Sequence, residues 1–242
     1  MTDRTLFPNV HSIVFDVFGT VVDWRASLIA MFERFAAQRE TSADWTTLVD
    51  DWRGAYQSSM DRVRTGERPW TNLDALHRES LDHLLERAGL GHVGAVDRER
   101  MVDFWHRLAP WPDSVLGLSR LRERFTIATL SNGNVRLLVD MAKHAALPWD
   151  CVLSAELCEH YKPDPPVYEM AIRLLGPKPE NVMMAAAHND DLVHAKRAGM
   201  PTAFIARPAE YGPRQNAADL IAAAHVDIAV TSIEELAMRL AT

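Results

Sequence analysis

The stretch IVFDVFGT at residues 13–20 decides the fold predicted for this chain. Its apolar residues 13–18 predict a strand that is buried on both faces, as strands of parallel sheets are. Gly19 allows a sharp backbone turn after the run, so Asp16 is expected at the edge of the sheet where the strand ends. Taken alone, an aspartate here is equally well explained as a turn or capping residue.

Five further short apolar runs have the same β-rich character, at residues 125–130, 151–154, 182–186, 202–205 and 228–230. Helical spacing of apolar residues occurs between them, at 135–145, 167–175 and 192–198. This alternation predicts an α/β fold, a doubly wound parallel sheet with a Rossmann-like core, whose ligands bind at the carboxyl ends of the strands. Residues 220–242 predict a helix, a short strand and a closing helix.

Residues 23–108 interrupt the alternation, because they show helical periodicity and no convincing strand. The predicted helices there are 28–38, 45–64, 73–88 and 98–107. Pro110 and Pro112 indicate the return to the core, since proline ends helices and restricts the residue before it to extended conformations. We therefore expect a helical cap at 23–108, inserted into a core made of residues 1–22 and 109–242.

Composition and charge narrow the class of partner. The 242 residues are 48% hydrophobic and carry a formal net charge of −7 without a basic run, which argues against nucleic acid and favours a small-molecule substrate. Cys151 and Cys158 lack metal-ligand spacing and are predicted to be buried thiols. The N-terminal stretch does not resemble a signal peptide and no run is long enough to span a bilayer, so we expect a cytoplasmic protein without a membrane partner.

Three polar motifs follow later strands in the same way that Asp16 follows the first. They are Ser131-Asn132-Gly133, Lys162-Pro163-Asp164 and Asn189-Asp190-Asp191. Each motif by itself is ordinary turn chemistry. Together, in this order, they predict four polar groups that converge at one edge of a parallel sheet.

With these motifs the sequence resembles the haloacid dehalogenase superfamily, and more narrowly its type II L-2-haloacid dehalogenases. The narrower resemblance rests on the cap between the first two motifs, on SNG, on YKPDPPVYEMA at 161–171 and on RPAEYGP at 207–213. It implies a nucleophile at Asp16, a cation at Lys162 between two carboxylates, and a water-activating base at Asp191. It also implies catalysis without metal or cofactor, and a homodimer.

The superfamily is mostly phosphatases, so a Mg²⁺-dependent phosphatase is the main alternative. Phosphatases place an acid two positions after the nucleophile and usually another four positions before the residue that matches Asp191. Phe18 and Ala187 occupy those positions here. Losing a general acid and a metal ligand favours halide displacement, because halide leaves without a proton. A catalytically silent binding module stays open as a third possibility.

The expected reaction is attack of Asp16 on C2 of a 2-haloacid, which forms an ester and inverts an L centre. By resemblance, Arg53 stabilises the departing halide and Trp52 shields the pocket. Tyr168, six positions after Lys162, either supports the site or is a core tyrosine. The polar substrate contacts expected are Thr20, Ser131, Asn132 and backbone amides near Phe18.

The sequence departs from the family pattern just before Asp191. A Ser-x-Asn stretch is expected there, and Ala186-Ala187-His188 stands instead. We predict that His188 or Asn189 supplies the missing hydrogen bonds. A subgroup with this sequence is expected to accept compact substrates such as fluoroacetate.

Overall fold

A computed structural model describes residues 7–39, 41–215 and 217–241. Its strands are β1 (Ser12–Phe15), β2 (Val22–Asp23), β3 (Ala109–Pro110), β4 (Thr126–Ser131), β5 (Cys151–Ser154), β6 (Val182–Ala186), β7 (Thr202–Ile205) and β8 (Ile228–Val230). Its α-helices are α1 (Trp24–Arg39), α2 (Trp45–Arg64), α3 (Leu73–Arg87), α4 (Ala95–Val102), α5 (Ser114–Arg122), α6 (Val135–Ala145), α7 (Pro165–Leu175), α8 (Asn189–Arg197) and α9 (Ile233–Ala241).

The core is a six-stranded sheet in the order β5-β4-β1-β6-β7-β8, and every strand pair in it is parallel. The predicted α/β class is confirmed. The chain builds outward from β1 first through β4 and β5, and then on the other side through β6, β7 and β8. In such a sheet the point where the order reverses forms a crevice at the carboxyl ends of the strands.

Alternating side chains of β1 face two hydrophobic layers. Ile13 and Phe15 join a large cluster that also contains cap tryptophans, whereas Val14 joins a smaller cluster with helix α7. Because successive strand residues point to opposite faces, a continuous apolar run is what a strand covered on both sides requires. The burial of β1 thus positions the residue that follows it, Asp16, at the sheet edge.

Helices α1 to α4 lie between β2 and β3, in the predicted cap region. The cap prediction contained no strand, but the short strands β2 and β3 pair in antiparallel fashion where the chain leaves and re-enters the core. The predicted helix 98–107 is divided into α4 and a 3₁₀ helix at Asp103–Arg107. The division into a core and a cap domain stays a prediction.

Two other predictions were wrong in detail. The apolar run 13–18 leaves the sheet after Phe15, and Phe18 makes only an isolated bridge to Val22. The helix predicted after residue 220 is absent, since 220–227 consists of turns and bends before β8. Residues 1–6 and Thr242 lie outside the described residues. None of the helices among the described residues is long and apolar enough to cross a membrane.

Candidate active site

Asp16 accepts hydrogen bonds on both carboxylate oxygens. Lys162 Nζ donates to Oδ1 at 2.9 Å, and Thr20 Oγ1 donates to Oδ2 at 2.8 Å. His188 Nδ1 lies 3.2 Å from Oδ2. Asp16 as a whole residue is 7% exposed, and it lies at the edge of the sheet between the ends of β4 and β6. Its position lets a molecule approach from the cap side.

Lys162 connects the nucleophile position to a second carboxylate. Its Nζ also donates to Asp191 Oδ2 at 2.5 Å, and Tyr168 Oη donates to Asp191 Oδ1 at 2.6 Å. The backbone N–H of Lys162 donates to Asn132 Oδ1 at 2.7 Å, which ties the loop after β5 to the loop after β4. Four chain segments therefore meet at one point.

The charge states follow from this arrangement. Burial alone would raise the pKa of Asp16, but Lys162 and His188 outweigh burial and hold that pKa well below its usual value. Burial opposes the charge of Lys162 as well, and the two carboxylates raise its pKa above the ordinary lysine value. Burial, with the charge of Asp16, raises the pKa of Asp191. Asp16 is thus the more acidic carboxyl group, and Asp191 is the stronger base of the two.

A cavity of about 430 Å³ opens above these residues between the core and α2. Asp16, Lys162, Asp191, Asn132, Tyr168 and His188 contribute to its lining, and so do the aromatic groups Phe18, Trp24, Tyr56 and Tyr211. The Arg53 guanidinium lines the opposite wall, 4.2 Å from the centre of the Tyr56 ring. Its buried Nη1 has no hydrogen-bond partner among the described residues. The cavity therefore offers a cation and a carboxylate at facing walls.

Phe18, two positions after Asp16, is 2% exposed and packs edge-to-face on Trp105 at 5.6 Å. That position therefore provides no proton donor. Among the described residues, no group of three or more His, Cys, Asp or Glu side chains could hold a metal ion. Between the two carboxylates, where a cation would be bound, Lys162 Nζ already lies.

Comparison with known proteins agrees with this geometry. The model of the haloacid dehalogenase-like hydrolase family matches residues 10–199. The chain belongs to this family. One curated relative of this hydrolase is (S)-2-haloacid dehalogenase 1 of Pseudomonas sp. (strain CBS-3), which is 30% identical over 209 residues, or 84% of this chain and 88% of the relative.

Two solved structures of L-2-haloacid dehalogenases superpose on the hydrolase over nearly their whole length. One of them is 47% identical in sequence to this chain and superposes with a TM-score of 0.93. The match covers 96% of this chain and 99% of the chain of that structure. The other is described as a defluorinating L-2-haloacid dehalogenase, is 42% identical with a TM-score of 0.94, and covers 99% of both chains. The predicted resemblance to the haloacid dehalogenases is confirmed.

Several predicted contact residues lie elsewhere in the hydrolase than the sequence suggested. Trp52 is fully buried on α2, where its Nε1 donates to the His77 carbonyl oxygen at 3.0 Å, and it does not line the cavity. Asn189 turns away from the cavity, and its side chain bonds backbone groups of Ala218, Ile221 and Ala223. The expectations that Trp52 shields the pocket and that Asn189 supplies hydrogen bonds to the site are corrected accordingly.

Thr20 and Ser131 also differ from the expectation of substrate contact. Thr20 Oγ1 donates to Asp16 and accepts from the backbone N–H of Ala187 at 2.9 Å. Ser131 Oγ accepts from the backbone N–H of Gly133 at 3.2 Å. Both residues are fully buried and outside the cavity lining. They position the loops of the site and do not face the cavity.

Sequence reasoning missed Glu210 of this hydrolase. It lies in the RPAEYGP segment, is 1% exposed, and contacts His188 Nε2 at 3.0 Å. Arg207 of the same segment donates to the Thr20 carbonyl oxygen at 2.9 Å. The signal in the sequence was the place of Glu210 in the RPAEYGP segment, which follows the end of β7.

Proposed function

We propose that this hydrolase displaces halide from small 2-haloacids through an ester on Asp16 and without a metal ion. A single observation carries the proposal: a buried, ionised carboxylate paired with Lys162, beside an apolar Phe18 where a phosphatase needs an acid. The relatives support it, because they are described as (S)-2-haloacid or L-2-haloacid dehalogenases. Halide displacement and phosphate-ester hydrolysis differ here, because the halide leaves without a proton and the leaving oxygen of a phosphate ester requires one.

In the first step Asp16 attacks C2 of the substrate from behind the carbon–halogen bond. The bonding pair of that bond leaves with the halide, an ester forms, and an L-2-haloacid becomes a D-configured ester. Arg53, whose Nη1 has no hydrogen-bond partner in the described part of the chain, is placed to stabilise the charge that grows on the halide. Within the described residues, the backbone N–H groups of Val17 and Phe18 have no acceptor and are free to bind the substrate carboxylate, together with Asn132.

In the second step a water molecule attacks the ester carbon of Asp16. Asp191 takes the proton from water, and its raised pKa suits that role. Tyr168 donates to Asp191 Oδ1 at 2.6 Å and fixes the orientation of the base. Lys162 stays charged between the two side chains, so it stabilises the ionised Asp16 carboxylate in the first step and the ionised Asp191 in the second.

The lining of the cavity favours compact acids. The rings of Phe18, Trp24, Tyr56 and Tyr211 line the cavity of about 430 Å³, so haloacids of two or three carbons are proposed to bind beside the nucleophile in preference to long ones. Fluoroacetate is included in the proposed substrate class, and a 42% identical solved relative described as defluorinating supports this choice. Fluoride needs strong donors on leaving, and Arg53 is such a donor.

The test is halide release by purified protein. Chloride should appear from L-2-chloropropionate and chloroacetate at the same rate with and without EDTA, and Asp16→Asn should abolish it. Fluoroacetate is assayed in parallel with a fluoride electrode, and a protein that never releases fluoride limits the proposal to the heavier halides. Phosphate release from p-nitrophenyl phosphate that requires Mg²⁺, without chloride release, would contradict the proposal.

The ester is tested by a single turnover in ¹⁸O-labelled water. Label should enter the Asp16 carboxylate in the first turnover, and unlabelled 2-hydroxy acid should leave. Mass spectrometry of the peptide that contains Asp16 reads the result. Label found in the product of the first turnover would mean direct attack by water on the substrate.

Location and assembly belong to the same proposal. Cys151 and Cys158 are both free thiols, as is usual in the reducing cytoplasm. We propose a cytoplasmic enzyme that forms a homodimer, as the resemblance implies. Light scattering after size-exclusion chromatography measures the mass of the assembly, and a single chain mass would remove the dimer from the proposal.

A further inference from the structure

His188 lies between two carboxylates. Its Nδ1 is 3.2 Å from Asp16 Oδ2, and its Nε2 is 3.1 and 3.0 Å from the two carboxylate oxygens of Glu210. An ionised carboxylate can only accept, so a histidine that bonds one at each nitrogen donates from both and is positively charged. Burial alone would lower the pKa of His188, but Glu210 and Asp16 raise it well above the usual value.

Glu210 is held in place by a hydrogen bond from Trp24 and by close packing against Gly19. Trp24 Nε1 donates to Glu210 Oε1 at 3.0 Å, and the carboxylate is 1% exposed. The nucleophile loop leaves room for it at Gly19, where a Cβ atom would lie 2.1 Å from Glu210 Oε1. Such a fixed, buried carboxylate holds the His188 ring at a set distance from Asp16.

The two oxygens of Asp16 are not equivalent. Oδ2 accepts from Thr20 at 2.8 Å and from His188 at 3.2 Å, whereas Lys162 is the only donor to Oδ1 among the side chains that the structure describes. Because each carboxylate oxygen has two lone pairs, Oδ1 retains one pair for attack on the substrate and Oδ2 does not. Oδ2 thus becomes the carbonyl oxygen of the ester, with its two donors already in place.

We propose that His188, held in its charged form by Glu210, stabilises the negative charge that forms on Asp16 Oδ2 when water attacks the ester. Glu210 is the positioning residue for this step. The proposal rests on the ester mechanism proposed above and deepens it. This chain lacks the usual Ser-x-Asn stretch, whose side chains are neutral donors. Under the proposal, the charged donor His188 takes their place.

The step balances as follows. Water adds to Cγ of Asp16 while Asp191 takes one of its protons, and the carbonyl electron pair moves to Oδ2, where His188 and Thr20 donate. Collapse of the intermediate breaks the bond from Cγ to the former Oδ1, which leaves as the hydroxyl oxygen of the product. That oxygen takes the proton from Asp191, and the remaining carboxyl proton of Asp16 passes to solvent.

The experiment is a quenched-flow single turnover of L-2-chloropropionate by wild-type protein and Glu210→Gln, with chloride and the Asp16 ester measured separately. Chloride should appear within about twofold of the wild-type rate, while ester decay slows by about tenfold or more and ester accumulates. Slowing of chloride release with normal ester decay would overturn the proposal, since His188 would then serve the first step.

A double-mutant cycle separates positioning from structure. In a His188→Asn background, which leaves a neutral donor, Glu210→Gln should change ester decay by less than about twofold, because the group that Glu210 charges is gone. Equal slowing in both backgrounds would mean that Glu210 acts only by supporting Trp24 and the loop. That result would also overturn the proposal.

A second readout needs no Glu210 variant and covers the case in which Glu210→Gln does not fold. In ¹⁵N-histidine NMR of the wild-type protein, both ring nitrogens of His188 should be protonated at pH 8, with His188→Asn providing the assignment. The charged groups that face His188 are Glu210 and Asp16, with Lys162 and Asp191 beyond Asp16. A neutral His188 ring at pH 7 would overturn the proposal.

The outcomes also separate this inference from the function on which it rests. Wild-type protein that releases no halide from any haloacid contradicts the proposed function. If the wild-type protein turns over through the ester and the ester decays at the normal rate in Glu210→Gln, only the role of the His188 and Glu210 pair is contradicted.

Discussion

Lys162 and Asp16 are 146 positions apart in the chain, and Lys162 Nζ donates to Asp16 Oδ1 at 2.9 Å. Both side chains are nearly withdrawn from water, at 8% and 10% exposure. Without a cation between them, two buried carboxylates would repel each other, and the pKa of one would rise until it bound a proton. The lysine therefore sets the charge state of the nucleophile, and its removal has a predictable effect.

We expect Lys162→Met to lower the rate of ester formation by at least about 100-fold. The wild-type pKa of Asp16 is held low by Lys162, so its loss raises that pKa and moves the acidic limb of the pH–rate profile upward. Chloride release measured from pH 4 to pH 9 checks both effects. A variant that keeps the wild-type profile would show that Lys162 does not control the ionisation of Asp16.

Trp52 and Arg53 are neighbours on α2 with different environments. Arg53→Lys should lower kcat/KM by about 100-fold, since lysine cannot reproduce the planar group that lies over Tyr56. Trp52→Phe removes the bond to the His77 carbonyl oxygen and should lower the free energy of unfolding by about 1–3 kcal/mol, with little change in KM. Halide release and urea denaturation measure both variants. An equal loss of kcat/KM in both variants would show that Trp52 contacts the substrate.

Gly19 and Gly89 form a matched pair, because both have positive φ, at +83° and +72°. An alanine at either site costs about 1–2 kcal/mol of backbone strain. A Cβ at Gly19 also meets Glu210, whereas nothing lies within 4 Å of a Cβ at Gly89. We expect Gly19→Ala to lose more stability and most of its halide release, and Gly89→Ala to lose stability alone. Thermal melting and the chloride assay compare them, and identical behaviour would mean that the contact with Glu210 is unimportant.

His106 connects α3 of the cap region to α6 of the core. Its Nε2 is 3.1 Å from Asp74 Oδ1 and its Nδ1 is 3.0 Å from Asp140 Oδ2. Burial lowers the pKa of His106, but the two carboxylates outweigh burial and raise that pKa above 6.5. The charged form is therefore favoured by folding, so its stabilisation is complete below pH 6.5 and is lost as pH rises through the higher folded pKa.

We expect His106→Asn to lower the free energy of unfolding by about 1–3 kcal/mol at pH 6, and by less in alkaline solution. Urea denaturation at pH 6 and pH 9 measures the difference, with His92→Asn at an exposed position as the control. A deficit that is the same at both pH values would show that the charge of His106 contributes nothing.

Much of the sheet could be predicted from local pattern. The runs 151–154, 182–186, 202–205 and 228–230 coincide with β5 to β8. The two inner strands among them, β6 and β7, are buried throughout, and a strand buried on both faces needs apolar residues along its whole length. The last part of the run 13–18 was predicted wrongly, since Val17 and Phe18 are buried in the loop that follows β1 and not in the sheet. Apolar character indicates burial, and it does not indicate which backbone conformation is buried.

The sequence by itself determined the six strands of the main sheet and the four strand-end motifs, including Asp16 in IVFDVFGT and the apolar Phe18 two positions later. These are local properties, since period, turn residues and spacing are written within a few positions of each other. Only the tertiary structure decided that Glu210 charges His188, that Trp52 is a cap core residue, and that Asn189 holds a loop. Each of these contacts joins residues that are more than twenty positions apart in the chain. Such contacts depend on how the loops and helices pack around the edge of the sheet, which local sequence patterns do not indicate.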